Sequence, residues 1–315
     1  IVAVFFSYFV QINNAISDII GLGADSILRL AVWHTLFNFF GVVLFIMFIP
    51  RIAEFLTALI KGHGTQDTAP LFISDALLPY KDTAIHALEN EVKHLYDNAF
   101  AIIAHTTGFS RTDIRSDIPI KELLAKREWF RREFDVSEFY NTQIKSLFNA
   151  IMDFSTKLQT FVQDPEYIKR IVALQIASRK IAEATKNISF LQKNMRKNAL
   201  GSNVALQEVY DEIRLDLANL LRFIDYIKHA PKEKLSDVKI TLKQQKKFFK
   251  RQDKEAFVVV QSLIYQKSIS TAEGTSLLND LAFSHSVAKE LIVAANYIYG
   301  LSTIRTIKKM QPPLH

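Results

Sequence analysis

The stretch Arg29–Pro50, RLAVWHTLFNFFGVVLFIMFIP, decides how the whole chain is read. From Leu30 to Ile49 it runs 20 residues without a formal charge. At about 1.5 Å of rise per residue, such a run spans about 30 Å as a helix, the depth of a bilayer's hydrocarbon core. A soluble helix tolerates apolar residues all round only when it is enclosed on every side. The stretch therefore reads as a transmembrane helix bounded by Arg29 and by Pro50–Arg51. His34 and Asn38 are four residues apart and share one face of it. In lipid such side chains need partners, either as hydrogen bonds to a neighbouring helix or along a solute or ion path. Gly41, three residues on, lets another backbone approach closely.

Charge is segregated on the two sides of this helix. Residues 1–60 carry only Asp18, Asp25, Arg29, Arg51 and Glu54, a net of −1, whereas the chain of 315 residues carries +7. A small membrane portion thus precedes a basic, charged portion. Only 9 glycines and 8 prolines leave little turn chemistry, which favours long helices over an all-β fold. The absence of cysteine excludes disulfides, thiolate nucleophiles and cysteine-based zinc sites, and it fits a cytoplasmic domain. The chain opens on Ile with apolar residues and no basic leader, so it reads as part of a longer protein, without a signal peptide.

Upstream, the segment from Ile1 to Leu22, IVAVFFSYFVQINNAISDIIGL, turns polar at Gln11. Asn13, Asn14, Ser17 and Asp18 interrupt an otherwise lipid-compatible run. Two readings stand: a broken or re-entrant helix lining a transport cavity, or an interfacial or truncated span. Gly21 and Gly23 form a turn, and Asp25 or Ser26 caps the next helix. Downstream, RIAEFLTALIKG continues helically beyond Pro50, and the polar, breaker-rich HGTQDTAP is a linker. The divisions expected are a membrane segment over 1–62, a linker over 63–75 and a helical domain over 76–310.

The run carried by Arg29, Leu30, Ala31, His34, Leu36, Phe37, Asn38 and Gly41 resembles a late transmembrane helix of bacterial sodium/phosphate cotransporters. Members of that family often end in a cytoplasmic helical domain of the PhoU type. Two further segments are similar to such tails, in the right order: 72–92 to the junction between membrane and tail, and 270–300 to the final tail helix. The family's glycine-rich Gly-Thr-Asn-Ile-Gly-Thr-Thr stretch is replaced here by Gln11–Asp18, which keeps an Asn and a hydroxyl but neither glycine. Its Gln-Ser-Ser-Ser motif is not in the sequence.

Beyond Ser74 the pattern is helical almost to the end. Ile85, Leu88, Val92, Leu95, Ala99 and Ile102 form one apolar stripe. Ile144, Leu147, Ile151, Phe154, Leu158 and Phe161 form a second. Leu206, Val209, Ile213, Leu217, Leu220, Ile224 and Ile227 form a third. Breaks between them give six long helices, near 76–107, 136–163, 165–198, 203–229, 232–268 and 272–308, with a short helix around 120–126. The expected fold class is all-α, with one or two transmembrane helices followed by a six-helix bundle of two three-helix units. That is the plan a PhoU-like tail implies.

Catalytic chemistry finds no foothold. The histidines lack metal-ligand spacing, and neither a glycine-rich phosphate loop nor a nucleophile elbow is present; the chain is not expected to be an enzyme. The PhoU resemblance directs attention to acidic residues four apart on third helices. Here those regions hold Gln175, Ser178 and Thr185, then Asp280, Ser284 and Glu290. Converging carboxylates are lacking, so no metal site is expected. His285 sits at a core-type position and reads as a hydrogen-bonded packing residue.

In Lys239–Lys254, Lys243, Lys246, Lys247, Lys250 and Arg251 make a basic cluster interrupted by Phe248 and Phe249. Spread around most of a helix's circumference, they form either a solvated face or a contact with anionic lipid headgroups. No nucleic-acid-binding constellation accompanies them.

The resemblance implies sodium-dependent transport of inorganic phosphate, with sodium as coupling ion and the PhoU-like domain as a cytoplasmic regulator open to self-association or a regulatory protein partner. The protein would be multi-pass in the cell (inner) membrane. Asn13, Asn14, Ser17, His34 and Asn38 are the candidates for the substrate or ion path. The alternative is a membrane-anchored helical scaffold or signalling adaptor that transports nothing.

Overall fold

The computed structural model describes residues 2–21, 25–60, 68–131 and 134–301. The described residues contain helices and no strand, an all-α fold. The chain divides into two compact units, residues 1–65 and 66–315.

The first unit contains α1 (Val2–Ile19) and α2 (Ser26–Ile60). α1 is continuous through Asn13, Asn14 and Ser17, which corrects the broken-helix reading. Asn13 and Ser17 are turned to a buried face, and Asp18 pairs with Arg29 beyond the turn, so the helix carries these polar residues without opening. Gly21 ends the helix at φ +77°, and the Asp25 carboxylate caps α2 by accepting from the Ile27 and Leu28 N–H groups. Gly23, the other glycine of the expected turn, lies outside the described residues. Phe9 of α1 meets Trp33, Phe37 and Phe40 of α2 edge-on, with centroids 4.9–6.3 Å apart.

α2 runs on without interruption past Pro50, so its 35 residues reach about 52 Å, longer than a bilayer's hydrocarbon core. Leu30, Phe39, Val42, Phe45 and Ile46 are exposed on several sides of it. A core helix would have hidden them. One helix, over Ser26–Val43, is long and apolar enough to cross a membrane among the described residues.

Among its described residues the second unit holds six long helices as two sets of three. The first set is α3 (Lys81–Thr106), α7 (Ser146–Phe161) and α8 (Pro165–Ala199). The second is α9 (Val204–His229), α10 (Leu235–Tyr265) and α11 (Thr271–Ile298). Short helices α4 (Arg111–Arg115), α5 (Ile120–Leu123) and α6 (Val136–Phe139) occupy the long connection. α6 joins α7 through a π-helical turn, Tyr140–Lys145, so the expected helix from 136 is one rod with a wide turn in it.

The three stripes become the core, except that Phe161, the last residue of α7, is 55% exposed. Helix ends depart from the expected bounds for local reasons. A 3₁₀ turn and Pro79 delay α3 to Lys81. α11 stops at Ile298 rather than 308, because the Gly300 N–H bonds to the Tyr297 carbonyl and the Leu301 N–H to that of Asn296, with Gly300 at φ +64°.

α8 and α11, the third helix of each set, pack along the central seam. Ala177 and Ala184 of α8 and Ala288 and Ala295 of α11 are fully buried. Along the seam Lys180 pairs with Glu290 at 2.8 Å, and Asn187 donates to Ser286 Oγ at 2.9 Å. Asn194 donates to Asp280 at 2.9 Å.

The described part of the expected linker, 68–75, is tied to the bundle rather than free. Its Leu71, Phe72 and Ile73 N–H groups converge on one oxygen of the fully buried Glu91 carboxylate. The Thr68 N–H donates to Thr142 O in the π turn at 3.0 Å. The connection after α3 is fastened similarly. Gly108 turns at φ +82°, and a Cβ there would lie 2.6 Å from the Phe130 ring.

Candidate functional site

The membrane-side candidates divide into two groups. Asn13 and Ser17 follow Phe9 at four-residue intervals on α1, the face whose Phe9 ring meets α2. Both are buried, at 8% and 0% exposure. Asn13 Oδ1 and Ser17 Oγ have no hydrogen-bond partner among the described residues. A polar atom buried without a partner costs about 1–3 kcal/mol, so two on adjacent turns are an expensive arrangement for packing alone. Two neighbouring oxygens can accept from a solute's donors or help ligate a hard cation. Asn14, His34 and Asn38 are exposed, the last two among the apolar residues on the surface of α2. The five candidates therefore do not converge within this helix pair.

On the bundle, Lys243, Lys246, Lys247, Lys250 and Arg251 are all exposed, and none is in an ion pair among the described residues. The sequence alone did not fix which side of α10 faces inward; buried Val238, Leu242, Phe249 and Val260 do. Counted from Phe249 at about 100° per residue, the four lysines fall within an arc of about 100° on one flank, with Arg251 about 40° beyond it. The expectation that they ring the helix is corrected accordingly. The opposite flank is acidic: Glu212, Asp216 and Glu255 line a cavity of about 190 Å³ between α9, α10 and α11. Burial pushes the Asp216 carboxyl above its usual range, although Gln252 donates to it at 2.9 Å.

The polar residues singled out on the third helices serve the seam and their own helices. Gln175 donates to Ser155 at 2.9 Å, and the hydroxyls of Ser178, Thr185 and Ser284 bond backbone carbonyls of their own helices. Asp280 accepts from the Tyr210 hydroxyl and from Asn194, and burial raises its carboxyl pKa. His285 is buried with Nδ1 3.3 Å from Asp253, and burial holds its pKa below the usual imidazole value. No group of three or more His, Asp or Glu is arranged to hold a metal ion among the described residues.

Two features escaped the sequence. Lys289 of α11 stands beside the α10 lysines, 35 or more residues away in the chain. Arg214 is fully buried; it stands three residues before the stripe residue Leu217, a spacing that could have marked it as inward-facing. Compared with protein-family models, curated proteins and solved structures, the chain matches none of them.

Proposed function

We propose that this chain is the C-terminal portion of a sodium-dependent inorganic phosphate transporter, with its six-helix bundle acting as a cytoplasmic regulatory domain. The observation that carries the reading is the buried Asn13 and Ser17 pair, whose oxygens lack partners among the described residues, beside a helix apolar on its outer surface. Two helices alone leave both the apolar surface and the exposed His34–Asn38 pair uncovered, which calls for further membrane helices around them. The Arg29–Gly41 resemblance names the kind of assembly, and the two-by-three bundle agrees with a PhoU-like tail. Sodium is the coupling ion in this reading. Lys61 and the basic bundle follow the span, and the preference of positive residues for the inner side puts the bundle in the cytoplasm of a multi-pass inner-membrane protein. Vesicles containing the full-length protein would be loaded with labelled phosphate under an inward sodium gradient. Uptake that needs sodium and is not supported by potassium is expected; equal uptake with both refutes sodium coupling, and no uptake refutes transport.

The second reading is a membrane-anchored helical scaffold. The continuity of α1 favours it, because nothing in Val2–Ile19 breaks to line a cavity. An inserted protein that takes up no phosphate with either cation would decide for this reading.

A further inference from the structure

Between α10 and α11 lies a cavity of about 430 Å³ whose polar wall is dominated by Lys246, Lys250 and Lys289. The three ammonium groups come from two helices, and none is in an ion pair among the described residues. Elsewhere on the bundle basic residues are commonly matched: Lys157 with Asp75 and Asp153, Lys180 with Glu183 and Glu290, Arg115 with Asp225. Asp253, the carboxylate that lines this cavity, lies against His285 Nδ1 at 3.3 Å. The lining therefore keeps an excess of two positive charges with His285 neutral. Ser286 adds a hydroxyl at the edge, and Phe249 and Ile292 close the floor. Like charges gathered in a concave site on a low-dielectric floor repel one another and focus a positive potential, which an anion relieves.

We propose that this cavity is a binding site for a compact polyanion bearing two or more phosphate groups, or a phosphate headgroup of comparable charge, held by Lys246, Lys250 and Lys289. Size and charge argue for this class. A single inorganic phosphate would leave most of the volume empty, and a carboxylate would leave charge unmatched. Lysine ammoniums bind phosphate as point charges, without a fixed fork, which suits clustered phosphates of varied geometry. The inference does not rest on transport, since the site lies wholly within the bundle. On the cytoplasmic side it would give the bundle a means of sensing phosphorylated solutes or the membrane surface.

The test uses the full chain in neutral-detergent micelles at about 150 mM salt, where diffuse surface attraction is screened beyond about 8 Å. Tripolyphosphate is titrated calorimetrically in one arm, and cardiolipin, whose headgroup carries two phosphates, is doped into the micelles in the other. Because the chain has no cysteine, Ala282→Cys carries a single environment-sensitive dye at the rim of the cavity for the lipid arm. Saturable binding is expected in at least one arm. Tripolyphosphate alone identifies a soluble ligand, and cardiolipin alone a headgroup. Lys250→Gln with Lys289→Gln is expected to weaken it at least tenfold. Lys243→Gln with Lys247→Gln removes the same charge outside the cavity and is expected to change it less than threefold. Helical signal and melting temperature serve as folding controls for both pairs. No saturable binding in either arm, or equal weakening by the two pairs, would overturn the site.

Discussion

The guanidinium of Arg214 lies 5.0 Å from the ring centroid of Phe130, and Phe109 takes a second side at 5.1 Å. The same side chain donates to the carbonyls of Thr107, Leu124 and Lys126 at 2.8–3.2 Å and to Asp211 at 2.6 Å. A residue on α9 thereby fastens the long connection between α3 and α7, which would otherwise leave buried carbonyls without donors.

Arg214→Ala removes all of these bonds and leaves the carbonyls unmatched. We expect a loss of about 3 kcal/mol, in the range for breaking a buried charged network. For a unit of this size that lowers the melting temperature by about 6–12 °C. Arg214→Lys keeps the charge but not the planar fork, and should fall between the two. Thermal melting of the three proteins checks the order; an alanine variant that melts with the wild type would remove the anchoring role.

Glu91 ties down the chain entering the bundle through the Leu71, Phe72 and Ile73 N–H groups, with His94 Nδ1 on its other oxygen at 2.8 Å. Bonds to a charged acceptor are worth about 1.5–3 kcal/mol. Glu91→Gln should therefore speed amide hydrogen exchange at residues 71–73 by about tenfold or more, while the α8–α11 seam exchanges as before. Unchanged protection at those three amides would show that the anchor lies elsewhere.

His285 supplies a pH signature. Its folded pKa lies below the usual value of about 6.5 because burial disfavours the imidazolium, with Asp253 opposing. The unfolded chain thus takes up this proton first as pH falls. The stability His285 contributes is present above about pH 6.5 and is lost as the pH drops from there through the folded value. Comparing urea midpoints at pH 7.5 and 5.5, the wild type should lose more stability on acidification than His285→Asn. A larger loss in the variant would reverse the sign and sink the assignment.

The bundle was legible because its signal is periodic: Ile85, Leu88 and Val92, or Leu217, Leu220 and Ile224, need only helical spacing to declare an inward face. Helix ends were less so, since Pro79 and Gly300 act through local geometry that spacing does not encode. The site was legible only in parts. Lys246 and Lys250 stood out as a run, but Lys289 joins them through the packing of α10 on α11, a contact with no trace in local sequence. Asn13 and Ser17 were visible as polar interruptions. Which of them turned inward, and that Asn14 did not, depended on the packing of α1 against α2.

The central claim is that the Asn13–Ser17 face belongs to a solute path, whereas His34 and Asn38 serve packing. Sodium-driven phosphate uptake would be measured in vesicles for the full-length wild type and for Asn13→Leu with Ser17→Ala, at matched membrane abundance. His34→Ala and Asn38→Ala accompany them, each also melted in detergent. The account predicts uptake lost in the double variant with melting unchanged or raised, because the orphaned oxygens are gone. It predicts uptake kept in the other two, each destabilised by about 0.6 kcal/mol. Undiminished uptake in the double variant, or uptake abolished by His34→Ala or Asn38→Ala at unchanged stability, would contradict it.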